Sequence, residues 1–116
     1  MTNNLPKSIE AFIQATNKHN TDEFLATMTD DAVITDESQD YRGISAIKNW
    51  SDEKYIGAKV TLEPINAVNR DGKFIVTFKV DGDFDKTGLP DPFLMDYHFI
   101  SNGSKINALN IRLADE

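Results

Sequence analysis

Between Leu5 and Lys18, Ile9, Phe12, Ile13 and the methyl of Thr16 recur at helical spacing, and Pro6 stands where a first turn tolerates a missing N–H. An amphipathic helix with one buried face is predicted there. Thr21 reads as the N-cap of a second, short helix, with Asp22 and Glu23 favourable to its dipole and Phe24, Leu25 and Met28 as its apolar stripe. Asp30 and Asp31 end that helix. The β-branched run Ala32-Val33-Ile34-Thr35-Asp36 predicts a brief strand with Asp36 at its exit. A polar loop follows, and a third helix is predicted over Ile44 to Tyr55, with Ile44, Ile47 and Trp50 on one side and Gly57 as its stop.

From Lys59 onward, alternation replaces helical spacing. Lys59 to Arg70 and Lys73 to Asp81 are two strands joined by Asp71-Gly72, a pair suited to a two-residue turn that needs positive φ at both positions. Pairing across that turn puts Ile65, Ala67, Phe74, Val76, Phe78 and Val80 on one apolar face. Val60 and Leu62 have the opposite parity, and Pro64 cannot donate to a ladder, so a bulge near Glu63 and Pro64 is predicted to switch faces. The loop from Asp81 to Pro92 spaces Asp81, Asp83 and Asp85 like a calcium loop. It has Lys86 and Pro92 where glycine and a bidentate Glu belong, so it reads as a solvated connection.

Asn102-Gly103 marks a last hairpin, Phe93 to Ile100 against Lys105 to Leu113. A two-residue turn sets Asp96 opposite Leu109, Leu94 opposite Ile111 and His98 opposite Asn107. Leu94, Asp96, His98, Ile100, Leu109, Ile111 and Leu113 then share one face, and Phe93, Met95, Tyr97, Phe99, Ile106 and Ala108, with Asn110 and Arg112 toward the end, the other. A three-residue loop would instead move Leu109 and Ile111 across. The order of helices first and hairpins last predicts an α+β fold, with helices over one face of a curved, mainly antiparallel sheet.

With 116 residues the chain reads as one domain, residues 1–116, able to bury a real core. It has no cysteine, which removes disulfides, thiolate catalysis and cysteine-based zinc sites. The net charge of −7, with scattered basic residues, argues against nucleic acid as a partner. No run has the length of a membrane span and the N-terminus has no apolar signal core, so the cytoplasm is the default location. No cofactor motif or metal-ligand cluster stands out, and His19 reads as a cap on the first helix's carbonyls.

The element order, Asp30-Asp31-Ala32-Val33-Ile34-Thr35-Asp36, Tyr41-Arg42-Gly43-Ile44 and the last hairpin together resemble the nuclear transport factor 2-like superfamily, notably its SnoaL-like and ketosteroid isomerase branches. The resemblance covers nearly the whole chain. It implies a cystatin-like, cone-shaped sheet wrapped around the N-terminal helices, with an apolar pocket inside. Asp36 then falls at the isomerase general base and Asp96 at the carboxyl of the oxyanion hole, a group that isomerases keep neutral by burial. Phe12 falls where those enzymes place a hydroxyl-bearing tyrosine, and Glu37 replaces the proline after the base. Losing one oxyanion donor costs about 2–4 kcal/mol in the transition state, which argues against steroid isomerisation.

His98, beside Asp96, offers a substitute acid–base dyad. The expected catalytic residues are therefore Asp36, Asp96 and His98. The expected pocket lining is Phe12, Trp50, Tyr55, Phe78, Leu94, Leu109 and Ile111, and the expected ligand is a small apolar or aromatic molecule. With Asp96 facing inward, Phe93, Met95, Tyr97 and Phe99 point outward, so a homodimer through that face is expected. Two functions stand open: a cofactor-free isomerase, cyclase or dehydratase working by proton transfer, and a non-catalytic binding or assembly module.

Overall fold

The computed structural model describes residues 5–84, 87–89, 92–102 and 104–114. Asp85 and Lys86 of the acidic loop and Gly103 of the last turn lie outside the described residues. Helix α1 spans Lys7–Asn17 and buries Ile9, Phe12, Ala15 and Thr16, the predicted stripe. It ends with His19 at φ 55°, the left-handed position in which Asn20 N–H reaches Ala15 O and His19 N–H reaches Thr16 O. The His19 ring does not cap α1; its Nε2 lies 3.2 Å from Val60 O. Helix α2, Thr21–Ala26, is capped one residue earlier than predicted, by Asn20 Oδ1 accepting from Glu23 N–H.

Met28 belongs to strand β1, Met28–Asp36, and not to α2. Its place is taken by pairing with Ile106 of the last strand. Strand β2, Gln39–Arg42, occupies the stretch read as a polar loop and pairs antiparallel with the end of β1. Helix α3 spans Ile44–Lys54. Its C-terminus folds back so tightly that a Cβ on Gly57 would meet Asp52 O at 1.7 Å, which restricts that stop to glycine.

Four further strands follow: β3 (Thr61–Arg70), β4 (Lys73–Asp81), β5 (Leu94–Ser101) and β6 (Ile106–Leu113). The sheet order is β2-β1-β6-β5-β4-β3, with β1 parallel to β6 and the other neighbours antiparallel. At the β3–β4 turn, Asp71 and Gly72 take positive φ and Arg70 faces Lys73, as the two-residue turn requires. The predicted bulge falls at Ile65, which is skipped between Pro64 and Asn66. It turns Leu62 inward and leaves Ile65 49% exposed, so Ile65 is outside the core in which it was expected.

The last hairpin departs from the expected register. Ser101 pairs with Ile106, enclosing a four-residue loop in which Asn102 Oδ1 accepts from the N–H groups of Ser104 and Lys105. Two extra loop residues alone would preserve the faces. Ile100, however, pairs with Ala108, so Asn107 is an unpaired bulge residue and every position beyond it changes side. Leu109 consequently faces Phe99, and Ile111 faces Tyr97.

All three helices lie on this Tyr97 and Phe99 side of the sheet. Phe12 of α1 sits in the hollow, its ring centroid 5.5 Å from Phe24, 6.2 Å from Tyr97 and 5.2 Å from Phe99. Tyr97 and Phe99 are thus core residues of one chain, with Phe93 and Met95 packed partly buried against the same core. The homodimer expected through these four side chains loses its surface.

Candidate functional site

Asp36 ends β1 on the inner side of the sheet. One cross-strand row runs Asp36, Ile111, Tyr97, Val76 across β1, β6, β5 and β4. The neighbouring outer rows run Thr35, Asn110, His98, Ile75 and Arg112, Asp96, Thr77. Side chains in a strand alternate sides, so these registers put Asp36 on one face and Asp96 with His98 on the other. The three residues expected to form one catalytic group are separated by the sheet. Leu94 shares the outer parity of Asp96, away from Leu109 and Ile111.

The lining expected for an interior pocket packs against itself instead. Phe12 and Phe78 are 0% exposed, Tyr55 2% and Trp50 4%, so these four rings fill the interior and do not line an open pocket. Trp50 stacks on Tyr55 with centroids 4.9 Å apart and rings inclined by 18°, and Phe78 meets Tyr97 edge-on at 4.9 Å. The Tyr55 hydroxyl pairs with Thr16 Oγ1 at 2.9 Å. Burial above all raises the pKa of both Tyr55 and Tyr97, whose hydroxyls also interact with each other, so both stay neutral phenols.

Open space begins at the mouth of the cone. A recess of about 530 Å³ is lined by Thr35, Asp36, Glu37 and Ser38 on one side and by Met95, Asn110, Ile111, Arg112 and Leu113 on the other. Asp36 is half-buried there, and Trp50 Nε1 donates to its Oδ2 at 3.1 Å. Burial raises its pKa from the ordinary 3.8, helped by Glu37, while the Trp50 hydrogen bond and the charge of Lys54 work against the rise. The result is a carboxylate with enhanced basicity at the edge of an apolar rim. Of the residues around this recess, Asp36 and Ile111 are among the expected site residues and Met95, Arg112 and Leu113 are not, although Leu113 is expected on the face of Ile111. Met95 is expected outward, and the Asn107 bulge carries no glycine or proline signal.

On the outer face, Thr77 Oγ1 donates to Asp96 Oδ1 at 2.6 Å. The His98 pKa is lowered, chiefly by burial and by Arg112 and Lys73, with Asp96 opposing. Asp96 therefore accepts from Thr77, and among the described residues no hydrogen bond orients the imidazole as a dyad would. Among the described residues, no group of three or more His, Asp or Glu side chains gathers as a metal site would require. No described helix is long and apolar enough to cross a membrane.

This architecture, an unclosed curved sheet around packed helices, is the nuclear transport factor 2-like, cystatin-like fold. Residues 9–104 match the SnoaL-like domain, and the chain belongs to that family. A candidate polyketide cyclase of Sinorhizobium meliloti, protein SMa1630, shares 29% identity over 93% of this chain and 95% of its own, with a TM-score of 0.81. The canthaxanthin-binding orange carotenoid protein of Anabaena (Nostoc) shares 20% identity and a TM-score of 0.76, covering 95% of this chain and 37% of that one. SalBIII, an epoxide hydrolase/cyclase-like enzyme in pyran ring formation of the polyether salinomycin, shares 16% identity over 93% of this chain and 88% of its own, with a TM-score of 0.71. No curated protein matches the chain by sequence.

Proposed function

We propose that this protein binds a small apolar or aromatic carbonyl compound at the mouth of the cone and transfers a proton on it, with Asp36 as the base. One observation carries the reading: Asp36 is a half-buried carboxylate of raised pKa, held by an indole N–H, in a recess floored by Met95, Ile111 and Leu113. A raised pKa brings a carboxylate nearer the pH at which it both stays ionised and accepts a proton well. Asn110 and Arg112 border the recess from the outer rows, on the other side of the sheet from Asp36, and are bonded to each other, Arg112 Nε donating to Asn110 Oδ1 at 3.2 Å, so the reading rests on the base alone. The likeness to a candidate polyketide cyclase and to SalBIII supports chemistry on small ring-forming substrates.

The test is hydrogen–deuterium exchange next to the carbonyl of small aromatic ketones and lactones in D2O, with the wild type and Asp36→Asn. The wild type is expected to accelerate exchange over buffer, and Asp36→Asn to lose about 10²-fold or more of that acceleration. Equal rates for the two proteins would reject Asp36 as the base. A second reading, a non-catalytic ligand-binding module, is favoured by the filled interior around Phe12, Trp50 and Tyr55. Binding of the same compounds without any exchange would select it.

A further inference from the structure

We infer that Trp50 is the positioning residue of the Asp36 site, aiming the carboxylate from the body of the protein through its indole N–H. The inference rests on the assignment of Asp36 as the working carboxylate. An aspartate at a strand exit, followed by Glu37 and Ser38 in a positive-φ turn, has little in its own strand to fix its rotamer. Trp50 comes from a different element, α3, and its indole Nε1 lies 3.1 Å from Asp36 Oδ2.

The donor itself is held on two sides. The indole is stacked on Tyr55 at 4.9 Å, and Tyr41 of β2 lies against it at 5.9 Å with a 35° tilt. Tyr55 is in turn anchored to Thr16 of α1 by the 2.9 Å hydroxyl contact. A chain of contacts therefore runs from α1 through Tyr55 and Trp50 to the carboxylate, and the indole, 4% exposed, has no freedom to turn its N–H to solvent. The charged and titratable groups around Asp36 are Glu37 on its own turn, Lys54 on α3, and Tyr55 and Tyr97 behind it. Among the groups acting on the carboxylate, the indole N–H is the largest that favours its ionised form.

Trp50 is the sole tryptophan of the chain, so its side-chain N–H gives a single assignable resonance. The experiment follows that indole resonance and the Asp36 carboxyl carbon by NMR across pH 3–8 in the wild type, Asp36→Asn and Trp50→Phe. In the wild type the indole resonance is expected to move with the same midpoint as the carboxyl carbon, and in Asp36→Asn to lose that dependence. In Trp50→Phe, which keeps an aromatic ring but no donor, the Asp36 midpoint is expected to move up. An indole resonance in the wild type that ignores the Asp36 titration would overturn the inference, even if Trp50→Phe failed to fold. An unmoved Asp36 midpoint in a folded Trp50→Phe would overturn it too. Neither readout uses a ligand, so failure of the positioning role and failure of the ketone chemistry are recorded separately.

Discussion

Asp36 and Asp96 are both strand carboxylates that accept a hydrogen bond from a side chain of another element, yet the sheet puts them in opposite circumstances. Asp36, on the inner side, is desolvated by the packed core and takes its bond from Trp50. Asp96, on the outer side, takes its bond from Thr77 on the neighbouring strand, with His98 beside it. A carboxylate gains chemical interest from surroundings that move its pKa, as the packed core behind Asp36 does.

Substitutions in the two faces should differ most in stability. Phe12→Ala removes a ring that touches Phe24, Tyr55, Tyr97 and Phe99, and should cost about 3–5 kcal/mol in urea unfolding. Ile100→Ala, at an outer position 45% exposed, should cost under about 1 kcal/mol. Similar costs for the two would mean that the outer face is covered as well as the inner one.

The pH dependence of stability separates the faces by sign. The folded Asp36 binds its proton more tightly than the unfolded chain does, so this group's contribution falls as pH climbs from 3.8 through the raised folded value. Asp36→Asn should lose that fall and unfold at higher urea than the wild type at neutral pH, while proton transfer is lost. For His98 the folded pKa is the lower one, so stability falls as pH drops from 6.5 through that folded value. His98→Gln should remove this acid-side loss. Urea midpoints from pH 3 to 8 check both, and same-direction effects would break the contrast.

A smaller effect lies within the outer face. Asp96 is the group that holds the His98 pKa up, so Asp96→Asn should lower the imidazole midpoint further in a proton NMR titration. An unmoved or raised midpoint would mean that the Asp96 charge does not act on the ring. The smallest change belongs to Ile65→Thr, at the exposed bulge residue, which should shift stability by no more than about 0.5 kcal/mol.

The two hairpins explain how much of this was legible. The β3–β4 bulge was readable because Pro64 cannot donate to a ladder and because Val60 and Leu62 had the wrong parity for Ala67. The β5–β6 bulge was not, because Asn107 is an ordinary polar residue in an alternating run. Its displacement of one position moves Leu109 and Ile111 to the Tyr97 side and leaves Asp96 and His98 on the opposite face. Strand β2 was hidden for a related reason: the Glu37-Ser38 turn takes φ of 51° and 65° without glycine or asparagine to announce it. Met28 had helical spacing with Phe24 and Leu25, but pairing with Ile106 outweighed that local pattern. Asp36 keeps its expected place at the exit of β1 because that place depends only on the end of a β-branched run and needs no distant register.

The most direct test of the central claim maps acetophenone binding by NMR chemical-shift changes over the whole chain. The carboxyl of Asp36, the indole N–H of Trp50 and the resonances of Met95, Ile111 and Leu113 should move together in a saturable titration, with the His98 ring unchanged. Saturable changes centred on His98, Asp96 and Thr77, with Asp36 silent, would place the site on the wrong face of the sheet and contradict the account.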